Sequence, residues 1–236
     1  MRTKSCYSDF LDATRNRQPL LAILVDPDKF DIATVASFAR SLPPETTHIF
    51  VGGSTVPAGA TEALVRAFKE VTAKPVIIFP GDFEQITPAA DALLFLSLYS
   101  GRNPEYLIGQ QVKSVQALKN SHLEVIATGY ILIDGGHESA VARVTQTSAM
   151  PQEHVEAIVD TAVAATLIGA RLIYLEAGSG AQTPVAAEII SAVRKQISVP
   201  LLVGGGIRSK EQMEIAYAAG ANMVVMGTHF EENHQP

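Results

Sequence analysis

Short, continuous apolar runs alternate along the chain with amphipathic, helix-like segments. Continuous rather than alternating apolar runs are typical of parallel strands that are buried on both faces. Eight such runs predict eight strands, at 20–25, 48–51, 75–79, 92–98, 124–133, 171–173, 200–203 and 223–226. Each run is followed by a polar or glycine-rich end. This is the pattern of an eight-stranded α/β barrel, in which the loops that carry function share one face.

The spacing of the elements refines this barrel. Residues 5–17 form a helix-like segment before the first strand, and we expect it to close the bottom of the barrel. Only about ten residues separate the third strand from the fourth, whereas a crossover with its helix needs at least about 10–12. The third helix is therefore expected to be missing or vestigial. The prediction is an α/β fold, a modified (β/α)8 TIM barrel.

A missing helix leaves a gap in the outer ring of the barrel. A long apolar ligand fits such a slot, although a neighbouring subunit can also cover it. Residues 137–151 are polar and are predicted to form the longest irregular loop, which makes them the candidate lid.

Length and composition favour one domain over residues 1–236. The chain has 47% hydrophobic residues and no Pro/Ser-rich linker, and barrels of this class commonly use about 250 residues. A net charge of −6 argues against nucleic acid or an anionic membrane as the main partner. The single cysteine, Cys6, forms no intrachain disulfide, and the first residues lack the apolar core of a signal peptide. These features predict a cytoplasmic protein that meets a membrane only through its substrate or product.

Glycine clusters follow the last three predicted strands. They lie at 178–180 and 204–206, and Gly227 precedes Thr228 after the eighth strand. Glycine allows positive φ and lets backbone N–H groups approach an anion closely. Because eight-stranded barrels often bind phosphate with the loops after strands 7 and 8, these clusters predict a phosphate cradle.

Three oxygen-bearing side chains are candidates for the chemistry. Asp26 follows the first strand without an adjacent basic partner in sequence and suits Mg²⁺, although it can equally cap the next helix. Ser54 is a candidate second ligand or an N-cap, and Asp28 is interpreted as a cap. Glu176, inside the phosphate motif, is a candidate general base for a hydroxyl; the alternative is an ion pair with Arg208 or Lys29.

Several motifs together resemble the geranylgeranylglyceryl phosphate synthases over about residues 20–228. They are Leu24-Val25-Asp26-Pro27-Asp28-Lys29, Phe50-Val51-Gly52-Gly53-Ser54, the stretch 100–109, Gly129-Tyr130-Ile131-Leu132, 174–180 and Val203-Gly204-Gly205-Gly206-Ile207-Arg208. The resemblance implies a prenyltransferase. Such an enzyme joins a polyprenyl diphosphate to the C3 hydroxyl of sn-glycerol 1-phosphate, uses Mg²⁺ and releases diphosphate.

The resemblance also implies site residues. Asp26 and Ser54 match the Mg²⁺ ligands, and Glu176 and Asp26 are the implied catalytic residues. The glycerol phosphate site falls on Tyr174, Leu175, Glu176, Ala177, Gly178, Ser179, Gly180, Gly204, Gly205, Gly227 and Thr228. Candidate walls of the prenyl slot are Phe79, Phe95 and Tyr99, and the alternative for each is ordinary packing in the core.

One departure identifies a subgroup. Shorter members of the family carry a lysine two places before the aspartate, whereas this chain has Leu24. The chain therefore resembles the longer subgroup, which favours a C20 donor and a homo-oligomer, either a dimer or a hexamer.

Two other functions stay open at this point. Asp26 and Asp134, facing one another across a barrel rim, would suit an acid/base isomerase of a phosphorylated sugar derivative. Alternatively, the protein is a non-catalytic subunit that binds a phosphometabolite.

Overall fold

A computed structural model of the chain describes residues 5–119 and 121–227. Eight parallel strands close into a barrel in the order of the sequence, with β1 paired to both β2 and β8. The strands are β1 Leu20–Val25, β2 Thr46–Val51, β3 Val76–Ile78, β4 Ala92–Leu98, β5 Glu124–Leu132, β6 Leu172–Glu176, β7 Leu201–Gly204 and β8 Met223–Met226. The predicted eight-stranded α/β barrel is confirmed.

Helices surround the barrel and cover its lower end. They are α1 Cys6–Asn16, α2 Val35–Ser41, α3 Ala60–Val71, α4 Gln110–Lys119, α5 Ala140–Thr145, α6 Val155–Ile168, α7 Ala187–Gln196 and α8 Lys210–Ala219. A π-helical segment, Glu105–Gly109, leads into α4, and 3-10 helices lie at Ile32–Thr34 and Phe83–Gln85. No helix of the described ranges is long and apolar enough to cross a membrane.

Helix α1 lies across the N-terminal ends of the strands, as its position in the sequence predicts. The backbone N–H groups of Cys6 and Tyr7 donate to the carboxylate of Glu124 at the start of β5, at 2.6 and 3.1 Å. The Tyr7 hydroxyl donates to the carbonyl oxygen of Arg171 before β6. Phe10 is fully buried within the apolar interior of the barrel. The helix thus closes the end opposite the functional loops.

The third helix of the barrel is vestigial. Between β3 and β4 the described chain contains only the 3-10 helix Phe83–Gln85, where other strand pairs are joined through an α-helix. The outward face of β4 at this gap is apolar, and Leu93 packs there with Ile78 and Leu123. The missing helix therefore leaves an apolar surface on the outside of the barrel beside α4.

The expectation of an irregular loop at 137–151 is wrong. This segment contains α5, which Ser139 caps by accepting a hydrogen bond from the N–H of Ala142 at 3.1 Å. The helix ends at Thr145, and Gln146 after it adopts a left-handed φ of 53°. The capping serine and the short run of alanine and valine outweigh the polar composition that suggested a loop. Helix α5 lies over the C-terminal ends of the strands.

Candidate functional site

A cavity of about 600 Å³ opens at the C-terminal ends of the strands. Its polar end is lined by residues after β6, β7 and β8, and the opposite wall carries the loops after β1 and β2. Its apolar arm leaves the barrel through the gap of the missing third helix. The residues of this arm are Phe83, Ile86, Leu93, Phe95, Leu96, Gln111 and Ser114. One continuous cavity therefore joins a polar pocket to an apolar slot.

Glycines at positive φ shape the polar end. Gly180, Gly205 and Gly206 have φ values of 76°, 82° and 72°, and all three line the cavity. A Cβ at Gly205 would lie 2.5 Å from Glu176 Oε1 and 2.6 Å from the nitrogen of Gly178. Only glycine fits this turn, and the exposed backbone makes a concave surface suited to an anion.

The residues predicted for glycerol phosphate separate into two groups. Tyr174, Glu176, Ser179, Gly180, Gly205 and Gly227 line the cavity, whereas Leu175, Ala177, Gly178 and Gly204 do not. Side chains alternate along β6, so Tyr174 and Glu176 face the cavity while Leu175 packs into the layer between strands and helices. Thr228 lies outside the described residues. Gly206, which belongs to the predicted glycine cradle, also lines the cavity, and so does Arg208, which sequence reasoning did not name as a lining residue.

Glu176 is a buried carboxylate at the end of β6. It is 6% exposed, and its Oε1 accepts a hydrogen bond from the N–H of Gly178 at 2.7 Å. Burial raises the pKa of Glu176 to about 7. The alternative ion pairs are absent among the described residues, because Lys29 contacts Asp26 and Arg208 donates to backbone carbonyls. Near neutral pH this carboxyl group can therefore accept or release a proton.

Asp26 lies on the wall opposite Glu176 and has a basic neighbour, contrary to the expectation from sequence. Its Oδ2 is 3.1 Å from Lys29 Nζ, and its Oδ1 accepts from the N–H of Asp28 at 3.1 Å. Neither Asp26 nor Asp28 caps the next helix. That cap is Asp31, which accepts from the N–H of Ala33. Asp26 therefore lines the cavity and does not start a helix.

The pairing of β1 with β2 brings Ser54 to the same wall. Val25 pairs with Val51, so the loop of Gly52, Gly53 and Ser54 lies beside Asp26. A Cβ at position 53 would lie only 2.3 Å from Asp26 Oδ1, so this close approach of the loop to Asp26 requires glycine. Ser54 lines the cavity and does not cap α3, whose N-cap is Gly59.

These residues fit a magnesium ion held partly by substrate. The described residues contain no cluster of three or more His, Cys, Asp or Glu side chains that could hold a metal by themselves. One carboxylate and one hydroxyl on a cavity wall are hard oxygen donors, and Mg²⁺ commonly takes its other ligands from water and phosphate oxygens. Asp26 and Ser54 form such a partial donor set.

Three aromatic side chains that contact one another, here called the aromatic triad, line the cavity. They are Phe79, Tyr130 and Tyr174. The ring of Phe79 is 5.8 Å from that of Tyr130 and 5.2 Å from that of Tyr174, and the two tyrosine rings are 5.5 Å apart at 79°. The hydroxyl of Tyr174 is buried and lies beside the Glu176 carboxylate, since a Cβ at Gly204 would be 2.4 Å from the hydroxyl oxygen and 2.9 Å from Glu176 Oε2. Tyr130 and Tyr174 are 4% and 0% exposed and pack in the apolar interior of the barrel, so they form the floor of the cavity.

Other residues named from the sequence fall in different places. Phe79 and Phe95 line the cavity, whereas Tyr99 does not; it packs against the core outside the barrel. Asp134 is exposed and also lies outside the cavity lining, and its Oδ1 accepts from the N–H of Gly136 at 2.9 Å. Asp26 and Asp134 therefore do not face one another across the site.

Comparisons with known proteins agree with this geometry. The model of the PcrB family matches residues 12–236. A geranylgeranylglyceryl phosphate synthase from Zunongwangia profunda is 51% identical over 94% of both chains, and one from Flavobacterium johnsoniae is 49% identical over 96% of this chain and 94% of its own. The crystal structure of (S)-3-O-geranylgeranylglyceryl phosphate synthase from Thermoplasma acidophilum, in complex with sn-glycerol-1-phosphate, is similar with a TM-score of 0.88 and 35% identity. It covers 97% of this chain and 92% of that one.

Proposed function

Because the chain belongs to the PcrB family, we propose that it is a geranylgeranylglyceryl phosphate synthase, a prenyltransferase. It forms an ether bond between a polyprenyl diphosphate and the C3 hydroxyl of sn-glycerol 1-phosphate, and it releases diphosphate. The observation that carries this proposal is the single cavity in which a glycine-lined polar pocket meets an apolar arm, with Glu176 at the polar end. A small phosphorylated alcohol and a long hydrocarbon chain need such a divided site.

The polar pocket would hold sn-glycerol 1-phosphate. The backbone at Gly180, Gly205 and Gly206 surrounds the phosphate in this proposal, and Ser179 and Gly227 complete the wall. The phosphate then lies where backbone dipoles, rather than a lysine in place of Leu24, offset its charge. The Thermoplasma acidophilum relative, which was crystallised with this ligand, supports the assignment.

Glu176 would accept the proton of the attacking hydroxyl. Its carboxylate lies beside the glycine-lined pocket and faces the cavity. A pKa of about 7 is matched to proton transfer near neutral pH, where general bases work well. Glu176 would therefore lie between the phosphate pocket and the donor carbon that the hydroxyl attacks.

Asp26 and Ser54 would hold Mg²⁺ together with the diphosphate of the donor. The ion, when bound, neutralises the leaving group as its bond to carbon breaks. Asp26 orients the diphosphate end of the donor, and the apolar arm takes the hydrocarbon tail past Phe95. Holding both reactants in one geometry can supply about 7–11 kcal/mol of the barrier reduction.

The cation site has a test that does not need turnover. Mn²⁺ can replace Mg²⁺ as a paramagnetic probe, and its binding in the presence of a non-reactive donor analogue is measured by electron paramagnetic resonance. We expect Asp26→Asn to weaken Mn²⁺ binding at least about tenfold, because the mutant loses the only carboxylate of the donor set. Unchanged binding would remove Asp26 from this role.

A homo-oligomer, dimer or hexamer, and the C20 donor stay predictions from the resemblance to the longer subgroup. The structure offers apolar surface for association, because Ile108 and Val112 are 59% and 64% exposed on the outer side of α4 and the turn before it. Light scattering after size-exclusion chromatography measures the mass directly. A cytoplasmic location, with only transient membrane contact for product release, likewise stays a prediction.

The activity is tested by incubating the purified protein with radiolabelled sn-glycerol 1-phosphate, Mg²⁺ and, separately, C15, C20 and C35 diphosphates. We expect label to enter the organic phase, most efficiently with the C20 donor, and the transfer to disappear with EDTA. Labelled sn-glycerol 3-phosphate is the matched control and should give no product. Absence of transfer with every donor would favour the phosphometabolite-binding subunit instead.

A further inference from the structure

We propose that Gln85 positions the loop after β2 for the magnesium ion and the diphosphate of the donor. Gln85 is a positioning residue, because it does not line the cavity and acts through the backbone of Gly53. The proposal rests on the function proposed above, in which Asp26 and Ser54 hold the cation. The vestigial third helix then has a function in the site, besides leaving the gap for the apolar arm.

Gln85 is the last residue of the 3-10 helix Phe83–Gln85, which takes the place of the third barrel helix. Its side chain is buried, with 3% exposed. The side-chain Nε2 donates to the carbonyl oxygen of Gly53 at 2.8 Å, and the N–H of Gly53 donates to Oε1 of Gln85 at 3.4 Å. One amide group thus pairs with both polar backbone groups of Gly53, as the backbone of a neighbouring strand would.

This contact continues the order of the sheet into the loop. The N–H of Phe79 donates to the carbonyl oxygen of Val51 at 2.9 Å, at the end of the pairing between β2 and β3. Gly53 lies two residues beyond Val51, and there the side chain of Gln85 takes the place of a strand as partner.

Gly53 lies in a narrow gap. A Cβ at position 53 would lie 2.3 Å from Asp26 Oδ1, and a Cβ at Gly81 would lie 2.3 Å from the carbonyl oxygen of Gly53. The loop therefore passes between the Asp26 carboxylate and the backbone of Gly81. Because Ser54 is the next residue, a shift of Gly53 moves Ser54 relative to Asp26. The hydrogen bonds of Gln85 hold Gly53 at one place in this gap.

The proposed cation depends on that place. Asp26 is the only carboxylate of the donor set, so binding also requires the hydroxyl of Ser54 at the correct distance. Mg²⁺ demands near-ideal octahedral geometry with oxygen ligands at about 2.0–2.1 Å. Loss of the Gln85 hydrogen bonds should therefore weaken cation and donor binding and spare the glycine-lined phosphate pocket.

The test replaces Gln85 in the full chain by methionine, which has a similar length and no amide. Binding of Mn²⁺ is measured by electron paramagnetic resonance in the presence of a non-reactive C20 donor, in which sulfur replaces the oxygen between C1 and phosphorus. We expect Gln85→Met to weaken Mn²⁺ binding about fivefold, which is the effect of a typical net hydrogen bond. The KM for the C20 donor should rise, whereas the KM for sn-glycerol 1-phosphate should stay unchanged.

Gln152 provides the matched control. Its Nε2 donates to the carbonyl oxygens of Asp134 and Pro184, at 2.8 and 3.2 Å, and its Oε1 accepts from the N–H of Ala186 at 2.9 Å. It does not line the cavity either. Gln152→Met thus removes an amide that also bonds loop backbone, but in loops that do not carry Asp26 or Ser54. We expect it to lower the unfolding free energy and to leave Mn²⁺ binding and the donor KM unchanged.

Gln85→Asn is the second variant, and it keeps the proposal testable if the methionine variant does not fold. It retains the amide but is one methylene shorter, so it should bind Mn²⁺ as weakly as Gln85→Met. Wild-type Mn²⁺ binding by a folded Gln85 variant, or equal weakening by Gln152→Met, would overturn the role of Gln85 while wild-type transfer still supports the proposed function. Absence of transfer by the wild-type protein would overturn both.

Discussion

Replacing Glu176 by glutamine separates the catalytic role of the carboxylate from the cost of burying it. Glutamine keeps the oxygen that accepts from Gly178 and removes the charge. Burial raises the pKa of Glu176 from an ordinary 4.5 to about 7, which corresponds to about 3 kcal/mol at 1.36 kcal/mol per pH unit. This is an upper bound, because the carboxylate lines a cavity that solvent can enter.

The sign of the effect follows from proton linkage. A carboxyl group whose pKa is raised in the folded protein does not lower the unfolding free energy below pH 4.5, because it is protonated in both the folded and the unfolded state. The cost grows between pH 4.5 and about 7, as the unfolded chain ionises first, and stays constant above. The Glu176→Gln variant has no carboxyl group at this position and therefore does not lose this stability at high pH. We therefore expect Glu176→Gln to match the wild type in unfolding free energy at pH 4.5 and to exceed it at pH 8 by up to about 3 kcal/mol.

Urea unfolding at the two pH values measures this difference, and initial rates of prenyl transfer complete the experiment. We expect the variant to be more stable at pH 8 and to lose activity by at least about a hundredfold. The wild-type kcat/KM should rise with pH through an apparent pKa near 7. A stability difference that is equal at both pH values would refute the burial argument, and near-normal turnover would refute the role as base.

Three further changes test the rest of the site. Asp26→Asn should lower turnover by about a hundredfold or more at saturating Mg²⁺ while circular dichroism stays that of the folded protein; retained turnover would contradict its assignment. Gly205→Ala places a methyl group 2.5 Å from Glu176 Oε1 at a φ of 82°, so calorimetry should show much weaker binding of sn-glycerol 1-phosphate, and unchanged binding would argue against the cradle. Ser114→Phe, which fills the apolar arm, should raise the KM for the C20 donor and spare sn-glycerol 1-phosphate binding; an unaltered donor KM would place the tail elsewhere.

Local patterns were sufficient for the fold. Continuous apolar runs with polar ends predicted eight parallel strands, because both faces of each strand are buried. The short link between the third and fourth strands predicted the vestigial helix, because a crossover helix does not fit in that length. The segment containing α5 was mispredicted because Ser139 provides a capping hydrogen bond that outweighs the polar composition around it.

The sequence by itself determined which strands form, in which order, and which residue types end each strand. The tertiary structure decided which of those residues meet. Alternation along β6 turned Tyr174 and Glu176 toward the cavity and Leu175 away, and the register of β1 with β2 brought Ser54 to Asp26. The raised pKa of Glu176 and the aromatic triad depend on packing between distant segments. Burial and the distances between such side chains arise only when the barrel closes, so no local pattern records them.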